Sequence, residues 1–208
     1  MRIRIKICGM TRPQDMETAA HLGVDAIGLV FFSNSARHIS LAQARSLAGA
    51  APAFITVTGL FLNPSPQEVQ QVLDNVRLDL LQFHGEEPPE FCRSFARPYV
   101  KAVPMGGRVD PAVYARNYQD AAGLLLDSHV PGQEGGSGVS FDWSLVPRLA
   151  GPPVILAGGL RADNVADAIR IVHPYGVDVS SGVESAPGIK DAVKMDEFVR
   201  EVNRATAA

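Results

Sequence analysis

Cys8 closes the apolar run Ile3, Ile5, Ile7 and is followed by Gly9-Met10-Thr11. A thiol at the end of a strand, facing a loop, serves as base or nucleophile when its surroundings stabilise the thiolate. Asp127 stands in a similar position, directly after Leu124-Leu125-Leu126, where a carboxyl points to chemistry rather than to a cap or turn. Two later apolar runs end in Ala157-Gly158-Gly159-Leu160 and Ser180-Ser181-Gly182-Val183. Without bulky side chains, the backbone N–H groups of such loops can approach an anion closely, helped by the positive end of a short following helix. One Gly-Gly pair alone is as readily a tight turn; the two loops together favour a phosphate site.

The elements that must bring these residues together read as alternating strands and helices. Strands are expected over 3–8, 26–31, 54–62, 78–83, 99–103, 123–127, 153–157 and 177–180. Helices are expected over 13–22, 41–47, 66–73, 88–95, 111–118, 143–149, 164–172 and 195–202. Ser40 and Ser65 stand where N-caps belong, the latter before Pro66. Eight strand–helix units in 208 residues predict a single (β/α)8 TIM barrel spanning 1–208, with an open doubly wound sheet as the rival architecture. In such a barrel the strands' carboxyl ends form the active face, and the loops after the seventh and eighth strands are the habitual phosphate site. Period-two alternation puts Lys6 with Cys8, Gln82 with His84 and Leu125 with Asp127 on common faces, so that all can look into one barrel mouth. Arg37 lies beyond the second strand. Gly132 to Gly138 form a glycine-rich loop expected to fold over a bound ligand.

Bulk properties narrow the function. The formal net charge of −3 argues against nucleic-acid binding through diffuse basic charge. No apolar run approaches the roughly 20 residues that cross a bilayer, and no leader pattern is visible, so no membrane role is expected. Cys8 and Cys92 form neither a disulfide framework nor a metal-ligand spacing, and a reducing cytoplasm is the expected location.

Taken in order, Lys6-Ile7-Cys8-Gly9-Met10-Thr11, Gly28-Leu29-Val30-Phe31 with Ser35-Ala36-Arg37, Gln82-Phe83-His84-Gly85, Leu126-Asp127-Ser128, Gly135-Gly136-Ser137-Gly138 before Phe141-Asp142-Trp143, Leu156-Ala157-Gly158-Gly159-Leu160 and Asp178-Val179-Ser180-Ser181-Gly182-Val183-Glu184 resemble the phosphoribosylanthranilate isomerases of tryptophan biosynthesis. The resemblance covers nearly the whole chain; Val139 departs from the polar residue that often follows the last glycine of the loop. It implies an Amadori rearrangement of a phosphoribosylated anthranilate, with Cys8 as base and Asp127 as acid. Arg37 would meet the anthranilate carboxylate, with Gln82, His84 and Asp178 as further substrate-binding residues. Gly158, Gly159, Ser181 and Gly182 would hold the phosphate. No metal or organic cofactor is implied, and the assembly would be a monomer or homodimer. Two rival readings share the scaffold. One is the histidine-pathway isomerase, against which Cys8 stands at the place of its first aspartate. The other is a non-catalytic sugar-phosphate binder, which would not need Cys8 and Asp127 together.

Those roles carry charge requirements. A thiol of pKa near 8.5 is mostly protonated at neutral pH, so Cys8 is expected to have its thiolate favoured, with Lys6 as the nearest cation. Asp127 must carry a proton, so burial or negative charge is expected to raise it. Asp178 is a plausible partner for Lys6, and Lys101 is expected inside the barrel beside an acid. Cys92 reads as apolar filler. His21, His38, His129 and His173 read as solvated or capping, and Glu86-Glu87 as a solvated face.

Overall fold

The computed structural model describes residues 2–107, 109–130 and 140–207. The expected glycine-rich loop, 132–138, lies outside them. Eight parallel strands close into a barrel in sequence order: β1 Arg4–Cys8, β2 Ala26–Val30, β3 Thr56–Phe61, β4 Leu80–Phe83, β5 Tyr99–Pro104, β6 Gly123–Asp127, β7 Val154–Leu156 and β8 Gly176–Val179. Closure excludes the open-sheet rival. Parallel pairing of β1 with β8 places Lys6 opposite Asp178, so the expected ion pair forms across the closing seam.

Helices α1 Pro13–His21, α2 Leu41–Ala50, α3 Pro66–Asn75, α4 Pro89–Arg93, α5 Pro111–Asn117, α6 Val165–Val172 and α7 Ala192–Ala207 cover the outside. Ser40 and Ser65 both form capping boxes: each hydroxyl accepts from the backbone N–H three residues on, and Gln43 or Glu68 reaches back. Between β6 and β7 the expected helix over 143–149 is only a 3₁₀ turn, Trp143–Leu145. Pro147 has no N–H to give and pushes Val146 to extended backbone (φ −78°, ψ 109°), so the turn cannot propagate. A small hairpin, β9 Glu184–Ala186 with β10 Ile189–Lys190, follows β8; the sequence reading did not anticipate it.

Two apolar layers follow from the alternation of side chains along each strand. Val100, Ala102, Leu125 and Ala157 form a small cluster of their own inside the barrel. The larger core, including Ile5, Ile7, Ile27, Leu29, Phe61, Phe83, Leu124 and Leu126 with Met16, Val69, Val165 and Phe198 of the helices, packs between barrel and shell. Lys101 alternates with Val100 and Ala102. It therefore sits on the outer side of β5, near the Tyr118 ring, rather than inside the barrel as expected. Its acidic partner is Glu87, 2.9 Å away, so Glu87 is buried and not a solvated residue. No helix among the described residues is long and apolar enough to cross a membrane.

Candidate active site

Every expected site residue lines one cavity at the carboxyl ends of the strands. Cys8, Arg37, Gln82, His84, Asp127, Gly158, Gly159, Asp178, Ser181 and Gly182 all face an empty space of about 780 Å³, mouth included. This is the location in which such barrels bind small molecules.

The rim after β7 and β8 is built of backbone. Gly158 has φ +79°, and a Cβ there would lie 2.5 Å from the Ser128 nitrogen. At Gly182 a Cβ would collide with the Leu160 carbonyl of the neighbouring loop. Both positions therefore need glycine. Ser181–Val183 forms the short 3₁₀ turn after β8, so small residues and a helical start meet where a phosphate is expected.

Cys8 is buried, 6% exposed, at the end of β1. Burial pushes its thiol pKa up; Lys6 and Lys190 pull the other way without prevailing, and Asp178 adds to the rise. The expected thiolate preference is thus not met in the free protein, because removing the sulfur from water outweighs the nearby cations. Lys6 donates to Asp178 at 2.8 Å, and this carboxylate competes with the sulfur for the ammonium. Cys92 of α4 is also buried, as filler, its thiol pushed up to about 12, first by burial. Neither cysteine should therefore react readily with iodoacetamide at pH 7.5, and labelling of Cys8 in the ligand-free protein should need a higher pH than labelling of a free cysteine. Mass-spectrometric mapping checks this; a Cys8 midpoint below pH 8 would show that Lys6 outweighs burial.

Asp127 also departs from expectation. Burial alone would raise its pKa, but hydrogen bonds from His129 and His84 and their charge hold it well below the usual carboxylate range. Asp127 Oδ2 meets His84 Nε2 at 3.0 Å and His129 Nδ1 at 3.1 Å, while Oδ1 accepts from the Ser128 N–H at 2.9 Å. The carboxylate is thus held ionised by three donors. His84 is oriented by the Gln82 amide, which lies 3.3 Å from its Nδ1.

His129 was expected to be solvated or capping; it is buried beside Asp127. Its place two residues beyond Asp127 continues the strand's alternation, the one signal in the sequence that could have found it. Glu184 of β9 and Lys190 of β10 were also missed. Glu184 accepts both Nε and Nη2 of Arg37 at 2.8 Å each, and Lys190 donates to Glu184 at 2.7 Å and to Ser180. The Nε–Nη2 edge of Arg37, which could have met a ligand carboxylate, is therefore engaged by Glu184, which fixes the guanidinium at the cavity wall. Asp178 keeps one oxygen, Oδ1, buried and without a hydrogen-bond partner among the described residues, beside the cavity.

Comparison with known proteins shows the family. The family model for N-(5'-phosphoribosyl)anthranilate (PRA) isomerase matches residues 5–201. A protein of that name from Halorhodospira halophila is 52% identical over 205 residues, 98% of this chain and 98% of its own length. The crystal structure of the Thermus thermophilus phosphoribosyl anthranilate isomerase superposes with a TM-score of 0.87 at 36% identity, covering 97% of this chain and 99% of that one. A second isomerase structure, solved with reduced 1-(o-carboxyphenylamino)-1-deoxyribulose 5-phosphate, gives 0.82 at 37% identity with the same coverage. The barrel, the shared cavity and the match over nearly the full chain agree: the chain belongs to the N-(5'-phosphoribosyl)anthranilate isomerase family.

Proposed function

We propose that this cavity converts N-(5-phosphoribosyl)anthranilate to 1-(2-carboxyphenylamino)-1-deoxyribulose 5-phosphate, a step of L-tryptophan biosynthesis, with Asp127 as acid and Cys8 as base. The observation that carries the reading is the convergence of Cys8 from β1 and Asp127 from β6 on one cavity rimmed by Gly158, Gly159, Ser181 and Gly182. A phosphate on that rim leaves the sugar between sulfur and carboxyl. The Asp127 proton passes to the ring oxygen as the C1'–O bond breaks, and the anilino nitrogen lone pair forms the C1'=N bond. The Cys8 sulfur then takes the C2' proton, leaving an enolamine. This tautomerises to the ketone as a proton returns to C1'.

The charge states found in the free site give this chemistry a particular form. Cys8 is held protonated and Asp127 ionised, the reverse of the arrangement that reacts. The pair holds the right number of protons, and turnover draws on the form in which the proton has moved from sulfur to carboxyl. Arg37, fixed by Glu184 through Nε and Nη2, offers Nη1, unpartnered among the described residues, to the anthranilate carboxylate, and Asp178 Oδ1 accepts a sugar hydroxyl. His84 and Gln82 line the same wall. The two unpaired cysteines support a cytoplasmic location. Purified protein added to phosphoribosylated anthranilate should abolish the anthranilate-type fluorescence at a rate proportional to enzyme concentration. An unchanged signal, with tight binding of the same compound, would instead make the protein a sugar-phosphate binder.

A further inference from the structure

We propose that His84, Asp127 and His129 form a binding site for a divalent transition-metal ion of the zinc class, and that the ion and the substrate exclude each other. The three side chains offer Nε2, Oδ2 and Nδ1, all within 4.8 Å of one another. The two nitrogen–oxygen edges are 3.0 and 3.1 Å. A tetrahedral ion with ligand bonds of about 2.0–2.1 Å sets its donors roughly 3.3 Å apart, so these two edges need spread only slightly to admit it. Two imidazoles and one carboxylate match zinc, cobalt or nickel rather than calcium or magnesium, which take oxygen ligands.

The surroundings hold the donors in place as an outer shell does. Ser128 N–H occupies Asp127 Oδ1, leaving Oδ2 as the coordinating atom. The His129 carbonyl accepts from the Gly106 N–H at 3.0 Å, which fixes the backbone behind its ring. Gln82 lies against His84 Nδ1; a half-turn of its amide presents oxygen to the proton that a coordinated imidazole carries there. Lys6 and Lys101 do not oppose a cation as free charges, since Lys6 is paired with Asp178 and Lys101 with Glu87. His84 and Asp127 line the cavity, so the fourth coordination position opens toward it. The ion would take the lone pair of Asp127 that catalysis needs for its proton. That consequence rests on the proposed acid role of Asp127, whereas binding itself does not.

Metal-free protein titrated with Co²⁺, with Zn²⁺ as competitor, tests the site. One ion per chain is expected, with visible ligand-field bands and no near-ultraviolet thiolate–cobalt band. Loss of an outer-shell partner already weakens metal sites by roughly 10–100-fold. His129→Asn and His84→Gln should each weaken Zn²⁺ binding by at least about that much, while Cys8→Ser leaves it unchanged. Zn²⁺ should inhibit turnover competitively, and a chelator should restore it. A thiolate band that disappears in Cys8→Ser, equal affinity in wild type and both histidine variants, or no saturation below millimolar metal would each overturn the proposal. Histidine-dependent metal binding in a protein without turnover would leave the site standing and remove the proposed catalysis; normal turnover without metal binding would do the reverse.

Discussion

Cys8→Ala lowers kcat by about two to four orders of magnitude, the range of a general acid or base, and changes the affinity for a product analogue less than roughly tenfold. The sulfur is the group placed to receive the C2' proton, and alanine leaves the phosphate rim and the Asp127 clamp untouched. Asp127→Asn has a kinetic effect of the same order and a further structural one. The asparagine amide has one oxygen and one NH2 for three donors, so either the Ser128 N–H or the two imidazoles face another donor. An unmatched buried polar group costs about 1–3 kcal/mol, and Asp127→Asn therefore melts earlier than Cys8→Ala. Kinetics measured well below both melting temperatures separate the two effects. The double variant is no slower than the slower single, because one missing member already stops the proton exchange. A Cys8→Ala enzyme retaining more than a tenth of the wild-type kcat would remove the thiol from the base role.

How far the sequence reveals this site depends on the range of the forces involved. Strand ends are local: Gly123–Asp127 is bounded in the structure as its apolar run predicts, and Ser40 and Ser65 cap the helices that their positions announce. The Lys6–Asp178 pair was also legible, because parallel closure of the first and last strands brings two strand-buried charges of opposite sign together. Charge state was not legible. Asp127 is buried as expected, and burial does act to raise it, but two imidazoles from the segments after β4 and after β6 reverse the sign. That outcome depends on angles and distances that no spacing encodes. Glu184 and Lys190 sit on strands of three and two residues, too short for alternation to show. Glu87 looks solvated beside Glu86 because its burial is imposed by a lysine fourteen positions later.

That lysine carries the largest expected effect on stability. Lys101 is 1% exposed and Glu87 4%, and between them they tie three loops together. The Lys101 ammonium donates to the Gly85 carbonyl and to Glu87 Oε2. Glu87 Oε1 accepts the Asn63 N–H at 2.8 Å, and its carboxylate also takes the Gly85 N–H. The Glu87 carbonyl accepts the Tyr118 hydroxyl at 2.8 Å. Lys101→Met keeps most of the apolar stem but leaves a buried carboxylate without its cation, which destabilises proteins by about 3–5 kcal/mol. At roughly 2–4 °C per kcal/mol for a chain of this size, the melting temperature falls by roughly 6–20 °C. Adding Glu87→Gln removes the stranded charge while its amide oxygen still accepts from the Asn63 and Gly85 backbones, so the double variant recovers most of the loss. Because the pair lies on the outer side of β5, both variants keep kcat near wild type at temperatures where they are folded. Thermal unfolding of the two singles and the double measures the coupling; additive losses would mean that the ammonium and the carboxylate stabilise the loops independently.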